Sequence, residues 1–200
     1  MKKLLFALLV VSLAACSKQA VTLEGSLTLG TGRIDDPPLA NQSVLLIPDS
    51  LVGKSLEQYR QGYKQEIARL EQANLAVGNL LDSLQTVFKK TGDKKIEERY
   101  RAVADSGAKL KRELENYRAS IFVFIAKELS KQASAEVKTD NQGNFKFQSL
   151  VEGKYVVLAG YTSQKRSGLL VKPVELKPGA NKIVLNFRDA DPILTYAPEE

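Results

Sequence analysis

Few residues in this 200-residue chain could do acid–base or covalent chemistry at neutral pH. Histidine is absent, and Cys16 is the sole cysteine. A histidine-based nucleophilic triad is excluded, as are a Cys/His metal site and a disulfide within the chain. No glycine-rich phosphate loop is present. The acidic pairs nearest to a cation site, Asp35-Asp36 and Asp189-x-Asp191, fall short of the ligand count of a calcium loop. Two features remain. One is the lone thiol of Cys16. The other is a cluster of Lys89, Lys90, Lys94 and Lys95 around Gly92, whose charge attracts an anionic partner such as phosphorylated headgroups or an acidic protein surface. The cluster also reads as a solvated helix end. Glu97, Glu98, Asp105 and Glu113 interleave with Arg99, Arg101, Lys109, Lys111 and Arg112 beyond it. The expectation is binding without turnover: no catalytic residues, no cofactor and no metal.

The lysines are placed by two long helices folded back on each other across residues 55–132. Tyr63, Ile67, Leu70, Asn74, Val77, Leu81, Leu84 and Phe88 climb one arm at alternating steps of four and three. Ile96, Tyr100, Val103, Gly107, Leu110, Leu114, Tyr117 and Ile121 descend the other in the same way. This is the heptad seam of supercoiled helices. Facing pairs such as Tyr63 with Ile121, Leu70 with Leu114 and Phe88 with Ile96 have residue numbers adding to 184, as a hairpin in fixed register requires. The turn then falls at Gly92, suited to a left-handed cap. Asp93 follows as the next N-cap, and Ser55-Leu56-Glu57-Gln58 has the form of a capping box. Each arm is about 54 Å long, longer than a small domain is wide. Asn74 opposite Leu110, and Val77 opposite Gly107 with Gly78 beside it, mark a soft waist.

Charge is uneven along the chain. Residues 50–132 hold 16 basic and 11 acidic side chains. The rest of the chain from Cys16 holds 11 basic and 12 acidic, so the excess positive charge lies in the hairpin. Ile121-Phe122-Val123-Phe124-Ile125 is too apolar for one seam. Phe122 and Ile125 are expected to pack the base of the hairpin onto the sandwich; the alternative is an exposed interaction patch or a dimer contact.

On either side of the hairpin the pattern is β-like. Val21, Leu23, Leu27 and Leu29 alternate, and Val44-Leu45-Leu46-Ile47 reads as a buried strand. Residues 135–139, the alternating Phe145-Lys146-Phe147, and residues 154–161, 169–176 and 181–187 supply further strands, with turns at Asp140-Asn141-Gln142-Gly143, Val151-Glu152-Gly153 and Pro178-Gly179. About seven short strands with turns at short intervals predict a small antiparallel sandwich.

At the N-terminus, Met1-Lys2-Lys3 precedes an apolar run over 4–15, too short to span a bilayer comfortably. With Leu13-Ala14-Ala15-Cys16 it reads as a signal peptide ending in a motif that resembles the lipobox of bacterial lipoproteins. That resemblance implies cleavage before Cys16 and acylation of its thiol and new amino group. Several acyl chains hold a protein to a membrane durably. Ser17, which is not aspartate, implies the outer membrane by the sorting rule of Gram-negative lipoproteins.

A second resemblance rests on Thr139-Asp140-x-x-Gly143-x-Phe145-x-Phe147-x-x-Leu150-x-x-Gly153-x-Tyr155-x-Val157, with Gly25 and the run from Pro38 to Val44. It is similar to carboxypeptidase regulatory-like domains, which share a transthyretin-like Greek-key sandwich with Cna B-type domains. The resemblance implies a structural or binding module. The Cna B-type isopeptide needs a lysine on an early strand, and residues 22–29 contain none.

The expected fold is α+β: a seven-stranded antiparallel Greek-key sandwich of prealbumin type, interrupted by a coiled-coil hairpin. Its parts are a signal peptide at 1–15, a lipidated linker at 16–20, a discontinuous sandwich at 21–50 and 133–188, the hairpin at 51–132 and a tail at 189–200. The sandwich is expected to fold without the hairpin. The expected function is that of a membrane-anchored envelope protein whose hairpin reaches a protein partner. The alternative is a carbohydrate- or ligand-binding module of the cell surface. An exported lipoprotein is not expected to meet nucleic acid.

Overall fold

The computed structural model describes residues 20–30, 37–162 and 166–196. In chain order the elements are β1 (Val21–Leu27), β2 (Ser43–Pro48), α1 (Asp49–Thr91), α2 (Lys94–Ser130), β3 (Ala135–Lys138), β4 (Asn144–Leu150), β5 (Gly153–Thr162), β6 (Ser167–Leu176), β7 (Ala180–Leu185) and β8 (Ala190–Tyr196). A 3-10 turn, Phe187–Asp189, precedes β8. The strands form one sheet in the order β4-β1-β7 and another in the order β3-β2-β5-β6-β8. The two helices lie between β2 and β3 in the chain.

Two cores explain why the central strands are apolar without alternation. Val44 and Leu46 of β2, with Val157, Ala159 and Tyr161 of β5, face the other sheet and meet Leu23, Leu27, Phe145, Phe147 and Leu185. Leu45 and Ile47, with Val156 and Leu158, face the opposite way and meet the helices through Val52, Leu56, Phe122, Ile125 and Leu129. The five-stranded sheet is thus covered on both faces, which turns a period-two strand into a continuous apolar run. Gly25 is core-facing, and a Cβ there would fall 2.8 Å from the Ile183 carbonyl oxygen and into the Phe145 ring. Only glycine leaves room for that ring.

Four features depart from the sequence reading. Eight strands are present among the described residues, where seven are expected. The sandwich is not wholly antiparallel, because β1 pairs with β7 in parallel from Thr22↔Ala180 to Leu27↔Leu185. The segment expected as a tail forms β8, an edge strand paired with β6. Pro192 is tolerated there because an edge strand need not donate on both sides, and Leu194 is fully buried in the second core. The first helix starts at Asp49 with Pro48 in the N-cap position and no side-chain cap. Ser55 is therefore no capping residue; it hydrogen-bonds the side chain of Gln132 across the base of the hairpin. The hairpin base is half of the second core. Burying each of its large apolar side chains is worth roughly 1.5–3 kcal/mol, so removing the hairpin base uncovers one face of the five-stranded sheet.

Candidate functional site

The base of the hairpin is clamped to the five-stranded sheet. A Cβ on Gly160 of β5 would lie 3.0 Å from the Ala126 Cβ, so the small pair Gly160/Ala126 sets how closely α2 approaches the sheet. Phe122 tilts against Tyr63 with ring centroids 5.4 Å apart, and Tyr63 stacks on Tyr117 at 6.0 Å. The Ser167 hydroxyl donates to the Arg118 carbonyl at 3.0 Å, and the Arg118 guanidinium sits 5.3 Å from the Tyr196 ring centroid. The strongest polar tie is Arg60 to Asp191. Arg60 donates from Nη2 at 2.7 Å and from Nε at 3.0 Å to the buried carboxylate. The backbone N–H groups of Leu194 and Ile193 donate to its other oxygen at 2.9 and 3.0 Å. Burial pushes the Asp191 carboxyl up; the Arg60 hydrogen bond and the two N–H groups outweigh it and leave the group below its ordinary pKa.

Beyond the base the arms, among the described residues, pack on each other. Leu70, Leu84 and Leu114 are buried and belong to neither core of the body. Arg118 pairs with Glu71 across the arms, and Arg69 reaches Glu113 at 3.8 Å. At the waist a Cβ on Gly107 would sit 2.9 Å from Val77 Cγ1. The glycine there is a place of close approach between the arms. Gly78 is open, with nothing within 4 Å of its Cβ position.

The turn is built by its own residues. Gly92 adopts φ 64°, and its N–H bonds the Phe88 carbonyl at 2.8 Å. The Asp93 carboxylate accepts the Lys95 N–H at 2.8 Å. This geometry brings Lys89 and Lys90 at the end of α1 beside Lys94 and Lys95 at the start of α2, all four exposed. Asp93 is committed to the cap, and Glu97 is paired with Arg101 at 2.6 Å. Among the described residues, the four lysines have no ion-pair partner. One turn below, Phe88, Tyr100, Gln85, Glu97 and Arg101 line a cleft of about 290 Å³ between the arms. Sequence spacing placed the lysines but not this cleft, because Phe88 and Tyr100 read only as seam residues.

Other sequence-flagged residues separate. Cys16, Asp35 and Asp36 lie outside the described residues. Asp189 bonds Lys172 at 3.1 Å and Asp191 holds Arg60; the two carboxylates serve different partners. Among the described residues no group of acidic side chains is arranged to hold a metal. A second surface lies on the outer face of the three-stranded sheet. Lys138, Lys146, Lys182, Glu24, Asn144 and Val184 line a shallow depression of about 750 Å³. Lys146 bonds Glu24 at 2.7 Å, and that bond lowers the Glu24 pKa. Phe145 also lines it but is 4% exposed, so no open aromatic platform is offered. No described helix is long and apolar enough to cross a membrane.

A family profile for the third transthyretin-like domain of NOMO matches residues 99–193, from the second arm through most of β8. It supports reading the two-sheet body as a transthyretin-like sandwich. Curated proteins give no significant match. Among solved structures the chain is similar to a Pseudomonas aeruginosa protein described as a candidate carbohydrate-binding protein, at 13% identity over 87% of this chain and 93% of that one, with a TM-score of 0.39. It is also similar to the pilus backbone protein RrgB of Streptococcus pneumoniae, at 11% identity over 84% of this chain and 41% of that one, with a TM-score of 0.30. The minor pilin GBS52 of Streptococcus agalactiae matches at 11% identity over 91% and 49%, with a TM-score of 0.35. The chain spans less than half the length of either pilin.

Proposed function

We propose that this is a non-catalytic, lipid-anchored envelope protein whose hairpin presents a basic tip to an acidic protein partner. The observation that carries the proposal is that residues 64–117 contribute to neither core of the body. About two-thirds of each helix is long, regular and unnecessary for the sandwich, so its use lies elsewhere. The unpaired lysines supply attraction to acidic groups. The Phe88/Tyr100 cleft beside them supplies a socket for one apolar side chain, which a protein segment can fill. Acylation of Cys16 supplies the anchor, and Ser17 favours the outer membrane.

The test is photocrosslinking in cells from probes at Lys90 and Lys94, repeated with Lys89→Glu and Lys95→Glu. A partner captured at both positions and lost on charge reversal supports the proposal. Capture indifferent to charge would refute it.

A second reading, a carbohydrate or small-ligand module, is favoured by the depression on the three-stranded sheet. Its lysines fit an acidic saccharide. Glycan-array binding that falls with Lys182→Glu and ignores the tip substitutions would establish that reading instead.

A further inference from the structure

The two ends of the body are distinct. Val21, where β1 begins, pairs with Leu150, and the Thr22 N–H bonds the Gly179 carbonyl. The N-terminal edge of the body therefore lies beside the β4–β5 and β6–β7 turns. Pro48 pairs with Tyr155 near that same rim, so α1 also starts there. From this rim the helix crosses the sheet face. Arg60 reaches Asp191, next to the Ala190↔Leu170 pair. On the return path, the Arg118 carbonyl accepts the Ser167 hydroxyl, and Ser167 pairs with Thr162 at the far rim. Residues 64–117 thus leave the body over the rim opposite to the one where the chain enters.

Distances follow from the element geometry. Ten-residue β6 spans about 33 Å from rim to rim. The stretch of α2 from Arg118 back to Lys94 rises about 36 Å more. The strand and helix axes are inclined, and α1, which starts at the Val21 rim and ends at the tip, is 43 residues or about 64 Å long, so the tip stands roughly 60 Å from that rim. The stretch from Cys16 to Ala20 reaches at most about 17 Å even when fully extended, so a lipid on Cys16 keeps the Val21 rim near the bilayer.

We infer that the hairpin points away from the membrane that holds the chain, and that its lysine tip serves a partner facing that membrane and not the membrane's own headgroups. The inference rests on the acylation of Cys16 proposed above. Electrostatic attraction supports the exclusion, since it is screened within about 8 Å at physiological ionic strength. A tip held several such lengths away gains nothing from anionic lipid in its own bilayer.

The experiment uses the full acylated protein in vesicles that carry a trace of acceptor-labelled headgroup. Donor dyes go on single introduced cysteines, the native thiol being consumed by the lipid. One site is Val151→Cys, in the turn at the entry rim and 70% exposed. The other is Lys90→Cys at the tip. Strong transfer from residue 151, weak transfer from residue 90 and no change on adding anionic lipid are expected. Equal transfer from both sites, or a rise at residue 90 with anionic lipid, would overturn the inference by showing an arm lying along the bilayer. Protein that fails to float with the vesicles fails at the anchoring step, and overturns both readings.

Discussion

Removing the Asp191 carboxylate tests whether β8 and the hairpin base are one cooperative unit. The side chain accepts two bonds from Arg60 and two from the backbone of Ile193 and Leu194. Breaking a buried ion pair by deleting one partner costs about 3–5 kcal/mol. Arg60 keeps 28% of its side-chain surface and turns partly to water, which lowers the expected cost of Asp191→Ala to about 2–3 kcal/mol. For a chain of this size that is a fall in Tm of roughly 4–12 °C, read by circular dichroism at pH 7. Arg60→Ala should lose less, and the double variant should lose little more than Asp191→Ala alone, because the pair is shared. The pH dependence has a definite sign. The native carboxyl titrates below its unfolded value of about 3.9. Its contribution is therefore fully present above that value and is lost as pH falls through the lower native pKa. Wild type and Asp191→Ala should differ most at neutral pH and converge in acid. A variant melting within about 1 °C of wild type at pH 7, or an additive double variant, would refute the latch.

Other expectations follow from single contacts. Gly78→Ala meets open space and should raise hairpin stability by about 1 kcal/mol, measured by helical melting. Gly107→Ala should show no such gain because its Cβ strikes Val77 Cγ1 at 2.9 Å, and Val77→Ala should restore the gain. Phe122→Ala opens the fully buried centre of the second core and should cost about 3–5 kcal/mol; its melt must involve the sheet and not the helices alone. Excising 71–77 and 107–113 removes one heptad from each arm in register and draws the tip back by about 10 Å. Capture of the partner in cells should fall although every tip lysine remains. Undiminished capture would show that reach is irrelevant.

The hairpin was legible because its information is local. A heptad period, a glycine at the turn and an aspartate after it specify two helices and their register with no reference to the rest of the chain. Phe122 and Ile125 announced a further layer by exceeding what one seam can bury. The apolar runs in β2 and β5 announced burial, and their two-faced burial explains why they do not alternate. What the chain alone could not show is how distant segments meet. Arg60 and Asp191 are 131 positions apart, and neither is unusual among its neighbours. Asp189, Asp191 and Pro192 look like turn residues until β6 offers an edge to pair with and the helix base offers a cover for Leu194. The parallel β1–β7 pairing, the 2.9 Å approach at Gly107 and the exit of the arm from the rim opposite β1 all depend on how layers stack. Periodicity sets which face of an element is apolar; only packing decides what that face meets.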